Sequence, residues 1–343
     1  MQTSQGQVTV SPAVTGLDAP WALAFLPQGS MLITERDGAL LHRAADGTLN
    51  SVAGLPDIAV DGQGGLLDVV AARDFETSRE VFLSYATPQG RGAGTALAVA
   101  KLSVDATQLT DLRQIFEMTP GSKGGRHFGS RIVEALDGSL FLTIGERGDR
   151  PSAQDLARHN GSIIRINRDG TVPGDNPFLG IEGAEPEIWS YGHRNPQGAA
   201  LDLQGQLWVN EHGARGGDEV NMIRKGANYG WPIISYGRHY SGRKIGEGTQ
   251  KTGMMQPAHY WDPSIAPSGM LIYSGTLWPE WRGDFFVGSL KFDYISRLDG
   301  DDLGEAEQLQ SDQTNRVRDI REAPDGSIWF ISVGEGTIYR ITP

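Results

Sequence analysis

A tight turn followed by a short apolar-rich segment recurs six times along the chain. The copies are Pro27–Ser30 into Met31–Thr34, Thr77–Glu80 into Val81–Tyr85, Asp137–Ser139 into Leu140–Ile144, Gln204–Gln206 into Leu207–Val209, Arg282–Asp284 into Phe285–Val287, and Asp325–Ser327 into Ile328–Ser332. All but one of the turns contain glycine, which reaches backbone dihedrals closed to other residues. Short apolar runs bounded by such turns predict β-strands. Several copies are preceded by a further apolar strand, as at Ala22–Leu26, Ile132–Ala135 and Val317–Ile320. The copies lie roughly 40–80 residues apart, near or above the usual period of propeller blades. No segment carries a sustained helical period with caps. The best helical candidates, Ala153–Arg158 and Leu109–Ile115, are too short to organise a fold.

Six equivalent units argue a ring, so the expected architecture is all-β, a six-bladed β-propeller spanning residues 1–343 as a single domain. The last strand, Thr337–Ile341, has no later partner, and Val8-Thr9-Val10 is expected to pair beside it and close the ring. A β-sandwich would account for the strands but not for their sixfold recurrence. In a ring of this kind, loops from every blade gather at one mouth of the central channel.

Composition narrows the functional classes. Gly 46 and Pro 18 among 343 residues make a turn-rich chain that stays below the level of disorder. A hydrophobic fraction of 38% is enough for a core, and no apolar run approaches the ~18 residues of a membrane span. A net charge of -12 argues against nucleic acid and anionic membranes as partners. The absence of cysteine removes disulfides, thiolate metal sites and cysteine nucleophiles. The N-terminus shows no signal peptide, and a mature chain with an added Met would read the same.

Chemistry-bearing residues concentrate in a few glycine-rich stretches. The densest is Asn210–Pro232, NEHGARGGDEVNMIRKGANYGWP, read as a strand end, a charged turn over Arg215–Glu219 and a second turn over Ala227–Pro232. A carboxylate with inward carbonyls is oxygen-rich ligation of the kind calcium takes; a loop with Asp218 and Glu219 merely solvated is the alternative. His127, in Gly124–Gly129, is a candidate general base because imidazole titrates near neutrality, or else a structural loop histidine. Glu146 would raise its basicity if the following strand returns to the same mouth, and is otherwise an ordinary surface residue beside Arg147. Gln63, between glycines, either contacts a planar ligand or forms a turn. Arg316 and Arg318 would share one face of an alternating strand, suited to bidentate carboxylate recognition. Together with Arg194 and Lys291 they would form an anion site in an acidic chain, or remain four exposed basic residues. There is no serine nucleophile elbow, zinc-helix motif or dinucleotide fingerprint.

Taken together, PWALAFLP (20–27), GQGGLLDV (62–69), HFG (127–129), AQDL (153–156), DNPF (175–178), EIWSYGHRNPQG (187–198), NEHGARGGDE (210–219), NYGWP (228–232) and RVRD (316–319) resemble the glucose/sorbosone dehydrogenase family, the soluble PQQ-dependent sugar dehydrogenases. These ordered matches run from the first predicted blade to the last. The resemblance implies a propeller holding pyrroloquinoline quinone (PQQ) and Ca2+, and oxidation of aldoses to lactones. His127 falls at the catalytic base, which takes the anomeric hydroxyl proton while hydride passes to the quinone C5; Glu146 falls at its acidic partner. Gln63, Arg194, Asn195, Tyr240, Lys291, Arg316 and Arg318 look like cofactor-contacting positions. The carbonyls of Gly213 and Ala214 resemble ligands of the calcium on PQQ. Glu219 and the Tyr229 carbonyl resemble ligands of a second, structural calcium. An external electron acceptor (quinone, cytochrome or dye), a monomeric state and a periplasmic or extracellular location are implied in the same way. Two other classes compete: a calcium-dependent propeller hydrolase such as a lactonase, and a non-catalytic sugar- or protein-binding propeller.

Overall fold

A computed structural model describes residues 1–343. Six four-stranded antiparallel sheets follow one another around a ring. The second strands of these sheets are Met31–Glu35, Glu80–Gln89, Leu140–Thr143, Leu207–Glu211, Phe285–Ser289 and Ile328–Ser332, so each sequence repeat is the second strand of one blade. The innermost strands are Pro20–Phe25, Leu66–Ala71, Ile132–Glu134, Pro196–Leu201, Pro267–Ile272 and Val317–Glu322, and neighbouring ones pack side by side around the channel. The sixth blade is completed by the N-terminal strand Thr9–Val14, which pairs antiparallel with Thr337–Thr342. Thr9 faces Thr342 and Val10 faces Ile341, so the first and last segments of the chain close the ring together.

Two expectations about local structure need correction. Leu109–Glu117 is the outer strand of the second blade, not a helix. Its pairing with Gly92–Leu102 slips register twice, at Leu97/Ala98 and Val99/Lys101. Those slips break strict alternation and leave apolar residues at helix-like spacing. The charged turn around Arg215 also ends earlier than expected, because Asp218–Met222 is a strand paired with Leu207–Glu211. Helix is confined to one turn at Phe75–Ser78 and three short 3-10 segments, and none is long and apolar enough to cross a membrane.

Small polar side chains on the second strands latch blade to blade. Thr34 Oγ1 donates to Leu67 O at 2.6 Å, Ser84 Oγ to Ser130 O at 2.6 Å and Thr143 Oγ1 to Pro196 O at 3.1 Å. Asn210 Nδ2 donates to Ser268 O at 2.9 Å. All four side chains are buried, and each donates to a carbonyl of the next blade's inner strand or, at Ser130, of the segment leading into it. Between blades the packing is apolar; the largest cluster joins the first two blades around Leu66, Leu83, Tyr85 and Phe128.

Across the channel runs a buried ionic network. Arg131 Nη1 meets Asp68 Oδ1 at 3.0 Å and Asp319 Oδ1 at 3.1 Å. Arg321 reaches the same two carboxylates, both at 2.9 Å. The Ile132 amide donates to the other oxygen of Asp68, so the second, third and sixth blades share one set of charges. Removing one carboxylate leaves two guanidinium groups sharing the other, and breaking a buried pair in this way costs about 3–5 kcal/mol. Asp68→Ala is therefore expected to lower unfolding free energy by about that amount in urea titration; a loss below about 1 kcal/mol would show the network to be energetically idle.

Candidate active site and cation sites

One mouth of the channel opens into a cavity of about 880 Å³. Its wall carries Gln63, Asn195, Tyr240, Lys291, Arg316 and Arg318, together with the backbone of Gly213 and Ala214. These residues come from the second, fourth, fifth and sixth blades and the connections leading into them. Five cations, Arg36, Arg215, Lys291, Arg316 and Arg318, face this space, and Asp262 is the one carboxylate among the lining residues. Local charge thus opposes the chain's overall -12.

Arg316 and Arg318 share the cavity for a different reason from strand alternation. Arg316 precedes its strand in a left-handed conformation, φ 53°, and a register slip follows between Val317 and Asp319. Arg316 Nη1 donates to Leu290 O at 3.0 Å, while Arg318 Nη1 donates to Gln197 Oε1 at 3.0 Å. Arg318 has no carboxylate of its own. Burial, then the neighbouring Arg131 and Arg316 charges, pull its guanidinium down to about 9. Lys291 Nζ donates to Ser264 O at 3.1 Å and lies 4.6 Å from the Phe292 ring centre. Tyr240 is 73% exposed at the rim.

His127 sits beside this wall, between Gln63 and Phe128. Its backbone is left-handed, φ 57°, and its amide donates to Gln63 Oε1 at 2.7 Å. Gln63 thus holds the histidine's main chain as well as lining the cavity. His127 Nδ1 lies 2.6 Å from Glu146 Oε1, and the two side chains are 13% and 1% exposed. Since a carboxylate only accepts, Nδ1 carries the proton and Nε2 keeps its lone pair. Burial is the strongest influence on His127 and outweighs the Glu146 contact, so the imidazole is held below its ordinary 6.5. Glu146 does oppose that fall, but the net shift is downward and not the raised basicity read from the sequence. Asn195 Oδ1 accepts from the Gly129 amide at 3.3 Å, which fixes the backbone just past His127. His212, the one histidine among the lining residues, is pushed down to about 3 by burial and is neutral; its Nε2 lies 2.7 Å from Pro267 O and is occupied as a donor.

The hairpin joining Leu207–Glu211 to Asp218–Met222 separates this cavity from a smaller one. Asp218 is wholly buried, not solvated, and both its oxygens are used inside the protein. Oδ1 accepts from the Gly213 amide at 2.7 Å, and Oδ2 from Ser264 Oγ at 2.7 Å and the Ala266 amide at 2.9 Å. The tip it shapes turns the carbonyls of Gly213 and Ala214 away from every donor, and neither accepts a hydrogen bond. Behind the hairpin, Glu211, Glu219, Tyr229 and Arg194 border the smaller cavity. Glu219 has one partner, Asn221 Nδ2 at 3.1 Å. Burial, reinforced by the Glu211 charge, pushes its carboxyl up to about 8. The Tyr229 carbonyl also accepts no hydrogen bond. Arg194 is not an exposed cation: it is buried, bonded through Nη1 to His212 O at 3.2 Å and packed 5.3 Å from the Trp231 ring centre.

Sequence reasoning missed Trp21, Gln197, His212, Arg215 and Asp262 as wall residues. Trp21, Gln197, His212 and Arg215 lie inside stretches already singled out, PWALAFLP, YGHRNPQG and NEHGARGGDE. Asp262 lies in no such stretch and had no signal.

The family model described as Glucose / Sorbosone dehydrogenase matches residues 17–340. Aldose sugar dehydrogenase YliI of Escherichia coli (strain K12) is 44% identical over 336 residues, covering 95% of this chain and 91% of that protein. The crystal structure of the soluble aldose sugar dehydrogenase from Escherichia coli in the apo-form superimposes with a TM-score of 0.94 at 43% identity, covering 98% of this chain and 100% of that one. The PQQ-bound form of aldose sugar dehydrogenase from Streptomyces coelicolor gives a TM-score of 0.80 at 26% identity, with 98% of each chain covered. With the cationic cavity and the His127–Glu146 pair in one ring, these likenesses make the chain a sugar dehydrogenase that belongs to the glucose/sorbosone dehydrogenase family.

Proposed function

We propose that this enzyme oxidises aldoses at the anomeric carbon to lactones, using PQQ and calcium and passing electrons to an external acceptor such as a quinone, a cytochrome or a dye. The observation that carries the reading is the part-buried His127–Glu146 pair at 2.6 Å beside a cavity with five cations in its wall, four of which (Arg215, Lys291, Arg316 and Arg318) have no carboxylate partner. The donor set fits the group. Arg316, Arg318 and Lys291 supply the positive charge that three carboxylates of PQQ require, with Gln63, Asn195 and Tyr240 as further polar neighbours on the same wall and Arg194 behind it, at the smaller cavity. The free carbonyls of Gly213 and Ala214 offer oxygen ligands to a calcium on the cofactor, and Glu219 with the Tyr229 carbonyl offers them to a second calcium. When bound, PQQ supplies the acceptor for the hydride leaving the sugar, and calcium supplies Lewis acidity beside it.

The chain's own part is proton management and orientation. The anomeric hydroxyl gives its proton to His127 Nε2 as the C1–H bond breaks and C1 becomes the lactone carbonyl. Glu146 fixes the tautomer that leaves Nε2 free and stabilises the imidazolium as it forms. Gln63 and Asn195 hold the backbone on either side of the base. A lactonase-type hydrolase would need several side-chain carboxylates around a central ion, whereas the cavity offers Asp262 alone. A non-catalytic sugar-binding propeller would have no use for the base and the cations on one mouth. A monomer working outside the cytoplasm is part of the same proposal and rests on family resemblance.

Three outcomes test the proposal. Protein stripped with chelator should reduce dye with aldoses only after both PQQ and calcium are restored; failure to bind PQQ would reject the cofactor, and dye reduction without calcium would reject the metal. His127→Ala should lower kcat by about 10²–10⁴-fold with PQQ affinity nearly unchanged. Loss of PQQ binding with normal residual turnover would reassign that residue to the cofactor. Because the imidazole titrates below 6.5, kcat/KM should hold through neutrality and fall only as pH drops under that value. A decline beginning above pH 7 would point to another group.

A further inference from the structure

We propose that Arg147 is a positioning residue for proton abstraction: its guanidinium clamps the irregular segment that presents His127, a role that rests on His127 being the base. Nη1 of Arg147 donates to Arg126 O at 2.7 Å, and Nη2 donates to Gly124 O at 3.0 Å and to Ala93 O at 3.3 Å. The carbonyls of Gly124 and Arg126 have no other donor in the protein. The same guanidinium lies 3.4 Å from the ring centre of Phe128, the residue after the histidine. Two carbonyls before His127 and the ring after it are thus held by one planar group, which is itself tied to the strand Gly92–Leu102 through Ala93 O.

The chemistry is unusual for a merely structural contact. Arg147 is 3% exposed yet forms no ion pair with any carboxylate, and its Nε finds no partner at all. Desolvating a guanidinium without a counter-charge is costly, and burial pulls it down to about 10. An apolar side chain would fill the space at lower cost but would leave the Gly124 and Arg126 carbonyls without donors. Only the rigid fork of arginine spans several acceptors at once; a lysine presents a point charge.

The clamp works against a stop on the opposite side. A Cβ at Gly145 would sit 2.0 Å from His127 O, so the histidine backbone already rests against the strand end that bears Glu146. Arg147 follows Glu146 directly and is itself left-handed, φ 60°. Residues 145–147 therefore provide, in order, the stop, the carboxylate partner and the clamp for a single imidazole. Without the clamp, the segment with its exposed Gly124 and Arg126 would be tied near the base chiefly through Gln63. A displacement of about 1 Å in a reacting group costs about 10²-fold in rate.

The test compares Arg147→Met in two backgrounds, wild type and His127→Ala, each loaded with PQQ and calcium. In the wild-type background kcat should fall about 10–100-fold while PQQ affinity and the aldose KM stay within about twofold. In the His127→Ala background the same substitution should change residual kcat by less than about twofold, because the clamp acts only through the base. Equal losses in both backgrounds, or a loss expressed as weaker PQQ binding, would overturn the proposal. If Arg147→Met does not fold, Arg147→Lys serves in its place, with a smaller kcat loss that again vanishes without His127; wild-type kcat for the lysine variant would also overturn it. Unchanged turnover in His127→Ala alone would remove the base and the clamp's purpose together, whereas a large loss there with additive effects of Arg147 would remove the clamp and leave the base standing.

Discussion

The buried charge network across the channel decides how the rest of the ring can be used. Asp68 and Asp319 are almost wholly inaccessible, and Arg131 and Arg321 consume both. Arg318 sits on the same inner strand, between Val317 and Asp319, but on the cavity side, where no carboxylate remains for it. Its one protein acceptor is the neutral Gln197 amide oxygen. Trp21 lies between the two levels, with the Arg131 guanidinium 4.5 Å and the Arg318 guanidinium 5.7 Å from its ring centre. The network therefore satisfies its own charges, seals the channel and leaves the mouth above it with a surplus of positive charge. That surplus is local: five cations stand against Asp262 alone in the wall of one concavity, which is how a protein of net charge -12 can attract a polyanion there.

Backbone strain marks the same region. His127, Arg147 and Arg316 adopt left-handed conformations, φ 57°, 60° and 53°. Each such non-glycine residue costs of order 1 kcal/mol or more, and the surroundings must over-determine it. Here they do. The His127 amide is bonded to Gln63, the Arg316 amide to Asp293 Oδ1, and the Arg147 side chain to three carbonyls. Left-handed residues occur elsewhere too, as at Gln28, Arg79 and Leu303, but the one at Arg316 brings a side chain from outside its strand into the mouth. It also explains why Arg316 and Arg318 meet in one cavity although the first is outside the strand and a bulge follows it.

The ring was legible because its second strands follow tight turns and are apolar, so the repeat needs no knowledge of pairing. Leu109–Ile115 was not, since two register slips in the outer pairing of the second blade erase the alternation that names a strand. The His127–Glu146 contact was conditional on topology: only the return of Leu140–Thr143 to the mouth brings residues nineteen apart within 2.6 Å. Arg147 gave no signal because its acceptors are main-chain carbonyls, which carry no residue identity. Glu219 was readable as an oxygen donor from its glycine-rich turn, but its burial was not. A strand begins at Asp218, which buries that carboxylate and turns the half-buried Glu219 to the opposite face.

Burial and pairing, not the number of carboxylates, distinguish a cation site here. His159, Glu185 and Glu187 form the one cluster of ligand-type side chains close enough to share an ion. Yet His159 Nδ1 accepts from the Thr119 amide at 3.0 Å, which places its proton on Nε2, and Nε2 lies 3.3 Å from Glu187. That imidazole is a donor facing a carboxylate, with no lone pair to offer a metal. The pair behind the hairpin is arranged differently. Glu211 is engaged by His193 Nδ1 at 2.8 Å and by the Arg194 amide at 2.6 Å. Glu219 lies next to it with one amide for company, and the Tyr229 carbonyl has none. A buried and a half-buried carboxylate in that setting repel unless one takes a proton or a cation intervenes, and the proposed calcium would resolve the conflict with oxygen ligands alone. The same hairpin would then serve both proposed ions, its tip carbonyls lining the large cavity and its strand carboxylate the smaller one.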